Sequence, residues 1–324
     1  MIERGRVSVL LPTGGCKLED LIAIAHLVAD LDFRGVAVGD VAGWNPVAVL
    51  AILAARLRRG VLSSSIISLA SSSVAQIAMA AATLAECSNG RFVLGIGVGS
   101  PVTAGWHDRD GSPGMQDLAQ ALPRIRALLS GSPDPGARAR PRFRLTSSSR
   151  YPVPIHVGSV GPHGRDLACA AGDGLITLMT GPTRLAKLAA TVAAKAEVHQ
   201  RPRPHLVAIQ WVAPPDSGAD ANHVLALESL SYFMTPGYGR RLDADVRERL
   251  GTVFTESGRV AASDVLPRHL VEEIGISARG ADVESRIEDL LAAGADEVRL
   301  HPLGDGSTNW FSMLCRDLAR NSNA

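Results

Sequence analysis

Arg91-Phe92-Val93-Leu94-Gly95-Ile96-Gly97-Val98-Gly99-Ser100 is an apolar run with no polar alternation, ending in glycines at every second position. A strand with one face in water alternates apolar and polar residues; a strand buried on both faces does not. The run therefore predicts an internal strand with elements packed on both sides. Seven further runs share its character, each ending in Gly, Pro or small polar residues: VSVLLPTGG from Val7, GVAVGD from Gly35, GVLSSS from Gly60, VPIHVGSVGP from Val153, GLITLMTGP from Gly174, HLVAIQWVAP from His205 and EVRLHPLGDG from Glu297. The segments between them are long enough to hold a helix, which makes the strands parallel. Eight strand and helix units predict an α/β fold of the TIM-type (β/α)8 barrel class.

Helical patterns fall at Leu18 to Leu31, Pro46 to Leu57, Ser72 to Ala85, Met115 to Leu129, Gly164 to Ala171, Thr183 to His199 and Val283 to Ala293. Residues from Asp220 to about Ile274 hold more than one helical pattern, so a helical insertion is expected before strand eight of a single domain spanning 1–324. Between Ser130 and Pro154 regular patterning stops. There Arg138, Arg140, Arg142, Arg144 and Arg150 face one acid, Asp134, as expected of a solvated surface loop or, alternatively, of a segment that attracts an anionic cofactor or substrate.

The 33 basic and 32 acidic residues leave a net charge of +1, which gives no electrostatic basis for nucleic acid or an anionic membrane as partner. A small-molecule substrate is expected instead. Cys16, Cys87, Cys169 and Cys315 lie far apart and form neither a disulfide framework nor a zinc pattern, so no metal is expected. The start of the chain has no long apolar run of the secretory type, and its most apolar helical windows are interrupted by His26, Asp30 and Gln76. A cytoplasmic homodimer is the expected state.

In a parallel barrel, ligands sit where the strands end, because the strand-to-helix loops converge there. After the fifth run, Gly158-Ser159-Val160-Gly161-Pro162-His163-Gly164 opens directly into a helical pattern, and glycines three apart let backbone N–H groups gather at a positive helix end. That is a phosphate-binding reading. Thr180-Gly181-Pro182 could add donors on the same side. The glycines before Ser100 are not a dinucleotide fingerprint, since Pro101 and a polar stretch through Gly114 are expected to separate them from the next helix.

The run Ser88-Asn89-Gly90-Arg91-Phe92-Val93-Leu94-Gly95-Ile96-Gly97-Val98-Gly99, preceded by Ala75-Gln76 through Ala82-Thr83-Leu84, resembles the signature of the luciferase-like monooxygenase superfamily. Gly35 to Asp40, Val153 to Pro162, Ala171-Gly172-Asp173-Gly174 and Ala292 to Pro302 extend the resemblance over most of the chain. It implies a flavin-like cofactor, coenzyme F420 or alternatively flavin mononucleotide (FMN). The G-V-G-S-P strand end and the G-P-x-G loop resemble the F420-dependent branch, which includes methylenetetrahydromethanopterin reductases. The resemblance places cofactor contacts on Asp40, Ser64, Val98, Gly99, Ser100, Thr103, Val160, Gly161, His163 and Gly164. It also implies a non-prolyl cis peptide near Val61-Leu62. Val41 and Ser100 stand where the sugar-phosphate dehydrogenases of that branch carry histidine and glutamate, so no catalytic residue is assigned. Asp40, His107, His156, Tyr232 and Tyr238 are the candidates for moving a proton. The implied activity is hydride transfer from reduced F420 to an unsaturated small molecule, with an FMN-dependent monooxygenase or a non-catalytic cofactor-binding barrel as alternatives.

Overall fold

The computed structural model describes residues 2–137, 141–215, 221–304 and 309–321. Arg138, Arg140 and the end of the last run lie outside them. The strands are β1 (Val7–Leu11), β2 (Gly35–Val38), β3 (Val61–Ser64), β4 (Ile67–Ser68), β5 (Phe92–Gly97), β6 (Ile155–Gly158), β7 (Gly174–Leu178), β8 (His205–Ala213), β9 (Gly275–Ser277) and β10 (Glu297–Pro302). Each of the eight apolar runs contributes one barrel strand. Pairing runs β10-β1-β2-β3-β5-β6-β7-β8 and returns from β8 to β10, a closed ring in which every pair is parallel. Two short strands are additional: β4 lies on β5 and β9 on the far end of β8.

Alternation along these strands separates two cores. Val9, Leu11, Val36, Leu62, Leu94, Ile96, Val157, Leu175 and Leu300 pack outward with helix residues such as Leu21, Leu50, Ile77, Leu122, Leu188 and Ile287. Leu10, Ala37, Ile176, Val207, Ile209 and Trp211 point into the barrel and join residues of the inserted helices, among them Leu225, Leu230, Phe233 and Leu270. Full burial of one such side chain contributes roughly 1.5–3 kcal/mol, so the ring of helices around the barrel is the main source of cohesion.

The insertion comprises helices Ala221–Phe233, Pro236–Gly239, Ala244–Ser263 and Arg268–Ile274. Two helices exceed the sequence expectation. Pro101–Trp106 starts directly after β5, with the Ser100 hydroxyl accepting from the Thr103 amide, so the polar stretch begins as a short capped helix. Asn309–Asn321 closes the outer ring, its buried face formed by Phe311, Leu314, Cys315 and Leu318. Between Leu129 and β6 the described residues form no helix or strand, as expected of the arginine-rich loop. Its one acid, Asp134, is held by both Nε and Nη2 of Arg124, and Arg150 pairs with Glu86, whereas Arg142 and Arg144 are exposed.

The non-prolyl cis peptide is at Ser65-Ile66, not near Val61-Leu62. Val61 and Leu62 are in regular parallel register with Gly35 and Val36, whereas Ser65-Ile66 follows the last paired residue of β3.

Candidate functional site

Because all strands run the same way, Ser64, Gly99 and Gly161 open on one end of the barrel, its mouth. Ile66 lies across this opening. A methyl on Gly97 would sit 3.0 Å from its Cδ1 and one on Gly158 would sit 2.7 Å from its Cγ2, so the glycines at the ends of β5 and β6 make room for an apolar platform. The Ser65 hydroxyl beside it is buried without a partner among the described residues.

The expected contact residues divide by what already occupies them. Asp40 follows β2, and its carboxylate accepts from the Ser68 amide at 3.3 Å and from the Ser71 hydroxyl, tying the loop after β4 to β2. The Ser64 hydroxyl, fully buried, donates to the Gly95 carbonyl at 2.8 Å and accepts from the Gly95 amide at 2.9 Å. Gly99 has φ +83° and would place a Cβ 2.0 Å from the Ser68 hydroxyl, while the Val98 carbonyl accepts from that same hydroxyl. Ser100 and Thr103 share a 3.0 Å contact between their hydroxyls. At Gly164 a Cβ would sit 2.0 Å from the Ser159 hydroxyl.

The loop after β6 is more open. Gly161 caps helix Pro162–Ala171 without a side-chain bond, a Cβ there would meet nothing within 4 Å, and His163 is exposed. Around this loop three guanidinium groups gather. Arg165 donates through Nη2 to the Val160 carbonyl at 2.7 Å, and its Nε is buried without a partner among the described residues. Arg184 lies 3.1 Å from Glu273, and Arg241 donates to the Met179 carbonyl while its guanidinium carbon sits 5.0 Å from the centre of the Tyr238 ring. Burial and then Arg184 lower the pKa of Arg165; burial, with Arg184 and Arg165 also opposing the charge, lowers that of Arg241. Among the described residues Glu273 is the one carboxylate paired with these three cations, which leaves a positive rim at two helix starts, a setting suited to an anionic group.

Above the barrel, Trp211, Tyr232 and Tyr238 form a chain of edge-on ring contacts at 5.5 and 5.3 Å. Burial raises both phenols, so they are neutral at physiological pH. Of the other candidate proton carriers, His107 is exposed at the end of helix Pro101–Trp106. His156 does not reach the mouth. It lies at the opposite end, the floor, against Gly174 and 5.5 Å from the His205 ring, with Nδ1 buried and no partner among the described residues. Burial, aided by His205 and Arg299, pulls its pKa down to about 3.

One mouth residue escaped the sequence reading. His301 is the third inward residue of β10 after Glu297 and Arg299, in register with Trp211, and its Nδ1 lies 3.1 Å from the Leu10 carbonyl. The signal was the alternation Glu297-Val298-Arg299-Leu300-His301. In an open sheet its polar half would face water; in a barrel ringed by helices it faces the interior.

Among the described residues no group of His, Cys, Asp and Glu has the arrangement of a metal site, and no helix is long and apolar enough to cross a membrane. The mouth does fit a flat, phosphate-bearing cofactor: the Ile66 platform, the unpartnered Ser65 hydroxyl and Arg165 Nε, and the open Gly161 loop lie at one end of the barrel.

Comparison with known proteins gives a consistent picture. Residues 4–297 match the family model described as luciferase-like monooxygenase. The chain is 25% identical over 287 residues to a 5,10-methylenetetrahydromethanopterin reductase of Archaeoglobus fulgidus, covering 85% of this chain and 86% of the other. Among solved structures, an F420-dependent secondary alcohol dehydrogenase in complex with an F420-acetone adduct superposes with TM-score 0.75 at 15% identity, covering 98% of this chain and 99% of that one. A monooxygenase from Streptomyces bottropensis superposes with TM-score 0.69 at 17% identity, covering 98% and 100%. At such identities the structural likenesses establish the fold.

Proposed function

The chain belongs to the luciferase-like monooxygenase family, and on that premise we propose that it is a coenzyme F420-dependent oxidoreductase, working as a reductase on a small molecule with a C=C or C=N bond. The observation that carries the reading is the positive rim of Arg165, Arg184 and Arg241 beside the open Gly161 loop, at the same end of the barrel as the Ile66 platform. F420 is favoured over FMN by the likeness to a putative coenzyme F420-dependent oxidoreductase of Mycobacterium tuberculosis, 27% identical over 181 residues that make up 50% of this chain and 51% of the other. In this reading the protein is a cytoplasmic homodimer.

When bound, the deazaflavin supplies hydride chemistry at carbon. The residues of this chain hold and shield. The Gly161 amide already donates to the Ser159 hydroxyl at 3.3 Å, so the first-turn amides of helix Pro162–Ala171 and the arginine rim would take the anionic part of the cofactor, including Arg165 Nε, whose burial without a partner is otherwise costly. Ile66 presents an apolar surface to the ring system, and Trp211, Tyr232 and Tyr238 cover the opening and exclude water. Neutral phenols at this cover keep charge away from the reacting carbon.

The test is to mix the protein under air with reduced F420 and, separately, with reduced FMN, following cofactor and oxygen together. The expected result is tight F420 binding, with oxidation only when an electron-poor alkene or imine is supplied and no oxygen uptake. Rapid oxygen consumption with FMN and no F420 binding would make it a flavin monooxygenase; binding without turnover across alkenes, imines and carbonyls would make it a cofactor-binding barrel.

A further inference from the structure

Hydride transfer to or from a C=N or C=O centre also moves a proton, and the groups first considered for it are otherwise engaged. Asp40 is bonded to Ser68 and Ser71, His156 is in the floor, His107 is exposed on a surface helix, and the buried tyrosines are held above the ordinary phenol range. Building on the oxidoreductase reading, we infer that His301 carries the substrate proton through Nε2.

The geometry has three parts. His301 projects from β10 into the upper barrel at the level of Leu10 and Trp211, beneath the aromatic cover. Its Nδ1 faces the Leu10 carbonyl, which can only accept, so Nδ1 holds the hydrogen and Nε2 keeps its lone pair. Nε2 has no partner among the described residues and is not among the buried unpartnered atoms, so it is the open side of the ring. The Leu10 carbonyl thereby fixes tautomer and orientation, and it stabilises the imidazolium that forms when Nε2 accepts a proton. Burial lowers the imidazole pKa while the Leu10 carbonyl opposes the shift, which keeps the resting ring neutral at physiological pH.

In the oxidising direction, the substrate O–H or N–H bond breaks and its proton goes to Nε2, while the C–H electron pair leaves with its hydrogen to the oxidised deazaflavin. In reduction the neutral ring first takes a proton from solvent at Nε2; as hydride reaches carbon from the reduced deazaflavin, that proton goes to the other atom of the double bond and the imidazole returns to its neutral resting form. One hydride and one proton are transferred in either direction, so atoms and charge balance.

The full chain, labelled with 15N-histidine, is observed by NMR and titrated with F420, and His301→Gln assigns the signals by their loss. The expected spectrum shows a protonated Nδ1 and a bare Nε2 at neutral pH, with the Nε2 resonance moving when F420 binds. A protonated Nε2 with a bare Nδ1, or a ring indifferent to F420 in protein whose binding is shown by fluorescence quenching, overturns the inference. Failure of F420 to bind tells against the cofactor reading instead; the titration is then run with FMN, and the tautomer alone still decides whether Nε2 is available. In a scan of imines, enones, ketones and secondary alcohols, His301→Gln, which retains a donor for Leu10, should keep F420 affinity within about twofold and lose about 10²–10⁴-fold in kcat. An unchanged kcat also overturns it.

Discussion

The floor and the mouth of the barrel are both polar, and both are built from inward positions of the same strands, yet they use polarity in opposite ways. In the floor, Glu297 accepts from the Ser8 hydroxyl, from Arg34 Nε at 2.7 Å and from Arg299 Nη2 at 2.6 Å, and His205 Nε2 stands 3.4 Å away. These groups turn toward each other; Ser8, Glu297 and Arg299 are buried, with Arg34 and His205 half-buried around them. Even the atoms left over, Arg299 Nη1 and His156 Nδ1, are sealed inside. Two residues up the same strand from Arg299, His301 engages the protein on one side of its ring and leaves the other open. Polarity that is spent internally holds a structure together; polarity left partly unspent beside an opening is available to a ligand.

The contrast breaks most severely if the floor is not structural. Glu297→Ala leaves Arg299 buried without its carboxylate and should cost about 3–5 kcal/mol of stability, read by urea denaturation. A loss no larger than that of a surface substitution would mean the floor is as permissive as the mouth. The pH dependence sharpens the point. Burial by itself would raise the Glu297 pKa, but Arg299, His205, Ser8 and Arg34 together hold it well below its ordinary value of 4.5. Its stabilising contribution is therefore complete above that value and lost as pH falls toward the depressed one, so wild type should lose stability on acidification and Glu297→Ala should lose less over the same range.

Two mouth glycines should then part company. Gly99→Ala puts a side chain on a residue at φ +83° with Ser68 in the way, and should cost about 1–3 kcal/mol in the same denaturation assay. Gly161 has room, and aspartate is a favoured helix cap, so Gly161→Asp should leave Tm unchanged or slightly higher. On the proposed reading it should nevertheless weaken F420 binding about tenfold in a fluorescence titration, because a carboxylate would stand where that reading places the cofactor's phosphate. Equal destabilisation of the two variants would erase the distinction between a packed and a ligand-facing turn.

The barrel was legible in the sequence because burial on both faces writes the same apolar text into every strand, and seven helices were marked by period and caps. Short elements were not: β4 and β9 hold two and three residues, below the length at which a period can register. Helix Asn309–Asn321 mixes Trp310, Arg316 and Asp317 with its apolar stripe, which blurs its period. In the candidate site, the Gly158–Gly164 loop could be read because backbone chemistry is carried by glycine itself. The arginine rim could not, since Arg165, Arg184 and Arg241 are far apart in sequence and meet only when β6, β7 and the insertion converge. His301 was hidden by the usual equation of polar with outward. The absence of the histidine and glutamate of the sugar-phosphate dehydrogenases also weighs less once β10 supplies an imidazole from another side.

At Ser64 the wall of the barrel depends on one hydroxyl group. The backbone pairing between β3 and β5 ends at Ser63 and Val93, and the next link is the Ser64 side chain bridging both polar groups of Gly95. Such a link asks for an atom that donates and accepts at once, in a space with no exposure to water. Drift at this position should therefore be confined to hydroxyl-bearing residues, with threonine admitted only where the packing yields room for a methyl group. Position 64 is thus a place where the fold, rather than the chemistry, would police the genetic record of the protein.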